Sequence, residues 1–245
     1  MKEMVKKVLL LTAATICCTA VIVGGAWCSV RCNSSLCTHV NIIVEDSVKR
    51  QFVDSEELNG YLKIKGMHPQ GDSMDLVDCH TIEQCLLKHN MVRTVECYKS
   101  PFGKINISVT QRIPTLGVVS NNGCYYVDSD RQIMPIRGEM STQLTIFKGA
   151  VSERAAQEEY FDFVKWLTAD SYWSKRITTI HVHNAKHLVL NQENLEAKII
   201  LGELIGYEEK LDKLRHLYTK GLDKIGYPEY HEYDLRFAGQ IIGRK

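Results

Sequence analysis

The chain has 245 residues, and once an N-terminal apolar stretch is set aside the remainder suits one large or two small domains. Its 30 basic and 29 acidic residues leave a formal charge of +1, so no global field draws in a polyanion. That balance argues against a nucleic-acid partner.

Residues 1–7 form a short basic tail with Lys2, Lys6 and Lys7. From Val8 to Trp27 there is no charged side chain, and about 20 such residues are what a helix needs to cross a bilayer. The sequence therefore predicts a transmembrane helix within Val8–Val30, whose backbone polar groups are satisfied inside the segment. The lysines before the span and the single Arg31 soon after it place the tail in the cytoplasm and the bulk of the chain outside, by the positive-inside bias. A cleavable signal peptide shares the basic start, but its apolar run is shorter, and Trp27 suits an interfacial anchor better than a cleavage site. Bulky Trp27 before Cys28 also disfavours a lipoprotein signal.

Residues 31–37 read as a neck. Cys32 and Cys37 within it lack the second pair that would make a zinc motif convincing. No CxxC pair occurs among the nine cysteines. Cys85, on a predicted helix, and Cys97, on a following strand, could meet in a disulfide; sequence does not fix their separation.

A first strand is expected from Thr38 to Val44, with Val40, Ile42 and Val44 on one face. Asp54-Ser55-Glu56-Glu57 is a helix start in which Asp54 caps the Glu57 amide and Glu57 reaches back. That helix runs to Ile64, with Leu58 and Leu62 on one side and Gly66 ending it. A second helix, Asp78 to His89, turns Ile82, Cys85, Leu86 and His89 to one face. Val92 to Lys99 and Lys104 to Arg112 then read as strands, the latter with Ile105, Ile107 and Val109 inward and Asn106, Ser108 and Thr110 outward. Strand, helix, helix, strand, strand over residues 38–112 is the layout of a POTRA module, a small sheet covered on one face and open at its edges.

Past Ile113-Pro114, where proline cannot donate to a ladder, residues 113–245 read as a β-rich domain with two flanking helices. Leu116 to Ser120, Asn121-Asn122-Gly123 and Cys124 to Asp128 form an expected hairpin, followed by a strand from Arg131 to Pro135. A helix capped by Ser152 is predicted to Thr168, carrying Ala156, Tyr160, Phe163, Val164 and Leu167 at helical spacing. Ile177 to His183, Lys186 to Leu190 and Ala197 to Leu201 read as strands. Glu208 to Leu222 reads as a helix with its charges arranged to suit its macrodipole. His231 to Phe237 and Gln240 to Gly243 close the chain as strands around Gly239. The fold class is thus α+β.

Five strings in this order resemble the bacterial cell-division family FtsQ (DivIB) over nearly the whole chain. Gln111-Arg112-Ile113-Pro114 is similar to its interdomain "E-R-x-P", with Gln111 in place of glutamate. Gly123-Cys124-Tyr125-Tyr126-Val127-Asp128 with Gln132-Ile133-Met134-Pro135 is similar to "Y-V-D-x-x-G-x-x-x-P", with Arg131 where glycine is usual. Leu144 to Gly149 is similar to "L-P-x-L-x-G", with Thr145 for proline and Phe147 for leucine. Lys198-Ile199-Ile200-Leu201-Gly202 with Glu209-Lys210-Leu211 is similar to "I-x-L-G…K", and Tyr233-Asp234-Leu235-Arg236-Phe237 to "D-L-R-Y".

The resemblance implies a non-enzymatic divisome scaffold in the inner (cytoplasmic) membrane at the septum, without cofactors. Its partners would be FtsB- and FtsL-like bitopic coiled-coil proteins, with further divisome proteins recruited through the POTRA-like module, and it would help control septal peptidoglycan synthesis. In the family the FtsB contact forms where the partner adds a strand to the last strands. Carried over, that surface is Phe237, Ala238, Gly239, Gln240, Ile241 and Ile242, with Lys186 as a basic contact for an acidic partner. Gly239 would permit close backbone approach; alternatively Phe237 is simply a core aromatic and Gly239 a turn. Asp234 and Arg236 read as a structural ion pair or as surface charges rather than catalytic groups.

Two other classes compete. A membrane-bound hydrolase could recruit Cys124, His181, His183, His187 or His231, yet no recognised spacing joins them, and GxSxG, HExxH and phosphate-loop patterns are missing. His181 and His183 share a strand face as a possible start of a metal site, without a third ligand. A POTRA protein handling exported polypeptides would continue into a membrane barrel that this length does not hold.

Overall fold

The computed structural model describes residues 15–25, 36–45, 52–141, 143–193, 196–222, 230–237 and 239–245. Of the expected membrane span, residues 15–25 are described and form a helix, α1, with Ile16, Val21, Ile22 and Val23 about two-thirds exposed. The rest of the span with Cys28, and most of the neck with Cys32, lie outside the described residues. No helix among the described residues is long and apolar enough to cross a membrane. The remaining chain divides into two compact units, one ending at Gln111 and the other beginning at Arg112.

The first unit runs β1 (His39–Glu45), α2 (Ser55–Ile64), α3 (Cys79–Leu87), β2 (Val92–Ser100) and β3 (Lys104–Gln111). The sheet order is β1-β3-β2, with β1 parallel and β2 antiparallel to the central β3. The alternation read from β3 holds: Ile105, Ile107 and Val109 are buried, beneath Leu58 and Leu62 of α2 and Ile82 and Leu86 of α3. Asp54 caps α2 by accepting the Glu57 N–H at 2.7 Å. The Glu57 carboxylate is within 3.1 Å of His89 Nε2, which ties the start of α2 to the chain just after α3.

Cys37, expected in a flexible neck, is buried and belongs to this unit. Its N–H donates to Asp72 O and its carbonyl accepts from Gly71, both at 2.8 Å. Burial pushes its thiol up from the ordinary value. Gln111 is also buried, and its side-chain oxygen accepts the Phe52 N–H at 2.8 Å.

The second unit comprises β4 (Pro114–Ser120), β5 (Gly123–Asp128), β6 (Ile133–Pro135), β7 (Thr145–Gly149), α4 (Glu153–Gln157), α5 (Glu159–Ala169), β8 (Ile177–Asn184), β9 (His187–Gln192), β10 (Lys198–Gly202), α6 (Tyr207–His216), β11 (Glu232–Asp234) and β12 (Ile242–Arg244). They form one nine-stranded sheet in the order β12-β11-β10-β9-β8-β7-β4-β5-β6. Of the three parallel pairs, β4–β7 is bridged through β5 and β6, while the β7–β8 crossover holds α4 with α5 and the β10–β11 crossover holds α6. Those helices cover one sheet face. One apolar row, Tyr125, Val118, Phe147, Ile180, Leu190, Ile199 and Tyr233, runs in register through seven strands beneath them.

Three local expectations change. The helix foreseen from Ser152 to Thr168 is broken at Glu158 (φ −107°, ψ −96°) although Ser152 does cap it, accepting the Ala155 N–H at 3.2 Å. Arg131 causes the break. Its guanidinium takes the Gln157 carbonyl at 2.9 Å and pairs with Asp162 at 2.6 Å, so the backbone bends toward it. The helix expected to Leu222 keeps regular geometry only to His216 and widens into a π turn over Leu217–Leu222. The last two strands are shorter and displaced: Glu232–Asp234 for His231–Phe237, and Ile242–Arg244 for Gln240–Gly243. Asp234 accepts the Arg236 N–H at 3.2 Å, and the paired strand ends there.

Candidate partner-binding edge

The strand β12 is the outermost of the large sheet, with no strand beyond it among the described residues. Unpaired N–H and C=O groups along such a strand are a template for another chain. On its inner side β12 pairs antiparallel with β11, Tyr233 opposite Gly243. Tyr230 lies over Gly243, where an added Cβ would come within 3.0 Å of its ring. Behind it the rings of Trp173, Tyr218, Tyr233 and Tyr230 follow one another at centroid separations of 5.3 to 6.3 Å. These aromatics back the edge with a rigid wall.

Electrostatics fasten the two terminal strands together. Asp234 is fully buried, and its carboxylate accepts from Arg236 Nη2 at 2.6 Å and Nε at 2.9 Å and from Arg244 Nη2 at 3.3 Å. Arg244 also reaches Glu232 at 2.9 Å. The Arg236 hydrogen bond, with the charges of Arg236 and Arg244, holds the Asp234 carboxyl below the usual carboxylate range. The aspartate and arginine of the Asp234-Leu235-Arg236 string are therefore structural, as their sequence implied.

Gly202 explains the string at β10. It sits at φ +77°, and a Cβ there would lie 2.8 Å from Arg236 Cγ, so the arginine folds over a position that must stay bare. Lys210 explains the following one. Its ammonium donates to the Leu201 carbonyl at 3.2 Å and the Glu203 carbonyl at 3.0 Å, closing the end of β10 onto α6, and burial lowers its pKa.

The expected partner residues gather beside this frame. Phe237 is 46% exposed, unusual for a phenylalanine, with the Arg236 guanidinium 5.9 Å from its ring centroid. Phe237, Gly239, Gln240 and Ile241 line one cleft of about 250 Å³, whose opposite wall is Ile205, Lys210 and Lys213. Ile242 opens β12 itself. Gly239 has φ +79° and open space where a Cβ would stand, so its glycine character serves the turn into β12. Ala238 lies outside the described residues. Lys186 stands in the β8–β9 turn, its ammonium 3.5 Å from Glu203 and its side chain 83% exposed. It faces a neighbouring hollow that shares Ile205 with the Phe237 cleft, so one loop, Glu203 to Gly206, separates the two groups.

The sequence reading missed Ile205, Lys210 and Lys213 as members of this surface. Ile205, 72% exposed between Leu204 and Gly206, was legible as an apolar residue ahead of a helix start; nothing local placed it opposite Phe237.

Three of the histidines considered for a hydrolase come together. His181, His183 and His187 line a hollow on the uncovered face together with Lys198, Glu232, Arg236 and Arg244. Burial and the charges of Lys148, His183 and Lys198 lower the His181 pKa. No cluster of three or more metal-binding side chains occurs among the described residues. Cys124 is exposed and shares a register row with Val119, Lys148 and His181. Three strand spacings put its backbone roughly 14 Å from that of His181, too far for a nucleophile and its base.

Comparison with known families agrees with this division. A family model described as "FtsQ/DivIB, C-terminal related" matches residues 113–244, and one described as "POTRA-like domain" matches residues 35–110. No curated protein matches the chain.

Proposed function

The chain belongs to the FtsQ/DivIB family, and from that premise we propose that it is a non-enzymatic scaffold of the cell-division machinery, anchored in the cytoplasmic membrane through Val8–Val30 with both units outside. Its role is to hold FtsB- and FtsL-like bitopic proteins and link them to septal peptidoglycan synthesis, with the POTRA-like unit recruiting further division proteins.

The open strand β12 beside the Phe237 cleft carries this reading. A partner strand laid along β12 completes backbone hydrogen bonds without needing particular side chains, and one apolar side chain of that strand enters the cleft between Phe237 and Ile205 to set register. Lys186 and Lys213 flank the path, paired with Glu203 and Glu209, and an acidic residue on either side of the strand would take over those contacts. Asp234, Arg236 and Arg244 tie the template to β11, so little ordering remains to be done on binding.

The test uses the full chain in detergent, titrated with an FtsB-like partner in complex with its FtsL-like companion. Phe237→Ser is expected to weaken binding at least about tenfold, the range of an aromatic anchor, with the unfolding temperature unchanged. Equal affinity for the variant and the parent overturns the assignment of this edge.

A further inference from the structure

The POTRA-like unit contains a cysteine pair that the partner surface does not use. Helix α3 packs on strand β2, and one bond fixes their alignment: the Glu83 carboxylate accepts the Cys97 N–H at 2.7 Å. Cys79 opens α3 just after its Asp78 cap. It precedes Glu83 by one turn, so the two side chains share a stripe of the helix. Cys97 is paired in register with Ile107, whose side chain is buried under the helices, and so presents its sulfur to the same side. Cys79 is among the neighbouring side chains that act directly on the Cys97 thiol. Cys85 follows Cys79 by six residues and points about 120° away around the helix; the Cys85–Cys97 pairing considered from sequence gives way to Cys79–Cys97. Both thiols are free and half-buried in this structure.

We propose that Cys79 and Cys97 are a disulfide site, oxidised by thiol–disulfide exchange with an oxidised dithiol protein of the extracytoplasmic space. The supply of that donor rests on the membrane orientation proposed above; the geometry of the pair does not. Burial first, and then Cys79, push the Cys97 thiol up; in the proposed order Cys79, in the first turn of α3, attacks first. The Cys79 sulfur displaces one donor thiolate and forms a mixed disulfide. Cys97 then gives up its proton, attacks Cys79 Sγ and releases the second donor thiolate. Two protein thiols are oxidised, the donor disulfide is reduced to a dithiol, and the two protons end on the donor. The bond clamps α3 to β2, an edge strand of the sheet order β1-β3-β2, and constrains the unfolded chain.

The experiment equilibrates the reduced full-length protein in detergent with a glutathione buffer at an extracytoplasmic poise, traps thiols with acid and alkylator, and maps linked peptides by mass spectrometry. A Cys79–Cys97 peptide is expected as the main product, lost in Cys79→Ser and Cys97→Ser and kept in Cys85→Ser. Oxidation should raise the unfolding midpoint of the POTRA-like unit by about 10 °C. Recovery of both residues alkylated, or joined to glutathione or to other cysteines, overturns the proposal. Labelling of exposed Cys124 by a membrane-impermeant maleimide on spheroplasts reads the orientation separately. A link that forms in vitro while Cys124 stays unlabelled leaves the pair standing and overturns the orientation, and with it the proposed donor.

Discussion

Replacing Asp234 with asparagine tests how the terminal edge is held. The carboxylate is fully buried, takes three hydrogen bonds from two guanidiniums, and joins β11 to β12 through Arg244. Removing one member of a buried ion pair costs roughly 3–5 kcal/mol when the other charge is stranded. Here the Arg236 and Arg244 side chains are 37% and 53% exposed and can turn to water, which lowers the expected loss to about 2–3 kcal/mol. For a unit of this size that is about 10 °C in unfolding temperature. The pH dependence has a fixed sign. Because the folded carboxyl is held below its unfolded value of about 3.9, its contribution is complete at neutral pH and is lost as pH falls below about 4 toward the folded value. Thermal unfolding of parent and Asp234→Asn from pH 7 to pH 3, with hydrogen exchange at Tyr233 and Gly243, reads both effects. Equal unfolding temperatures at pH 7, or a gap that widens as pH falls, would refute the argument.

Three further outcomes follow from the same geometry. Ile180→Ala, in the middle of the seven-strand apolar row, should cost about 3–4 kcal/mol in chemical denaturation, because it opens a cavity in a site with no exposed surface. Lys210→Met keeps the apolar stem but removes the two carbonyl bonds at the end of β10, and should cost about 1.5–3 kcal/mol while loosening the Phe237 cleft, seen as faster exchange at Gly206 and Glu209. Arg131→Ala should release the Gln157 carbonyl and Asp162, lengthening the α4–α5 helix by circular dichroism with a stability change under about 1 kcal/mol.

The elements most legible in the sequence were those whose pattern and burial are set by the same residues. Ile105, Ile107 and Val109 alternate because one face of β3 is covered, and Asp54 and Ser152 cap helices by short-range bonds. Departures come from long-range partners. Arg131 breaks a helix 26 residues away through the Gln157 carbonyl, which no window centred on Ser152 contains. Asp234 ends a strand early because its side chain competes for the Arg236 amide. Phe237, Gln240, Ile241 and Ile242 could be named from the resemblance at the chain end, whereas Ile205 and Lys213 join them only once α6 returns beside β11. The cysteines show the same limit: the sequence offered Cys85 as a neighbour of Cys97 without fixing their separation, and the Glu83 bond to the Cys97 N–H puts Cys79, one turn before Glu83, on that side of α3.

Site-specific photocrosslinking in dividing cells addresses the terminal edge most directly. With the probe at Phe237, Gln240 or Ile242, the account predicts capture of the FtsB-like bitopic protein, identified by mass, and no such capture from His39 on β1. Capture from His39 with none from the three terminal positions would contradict it.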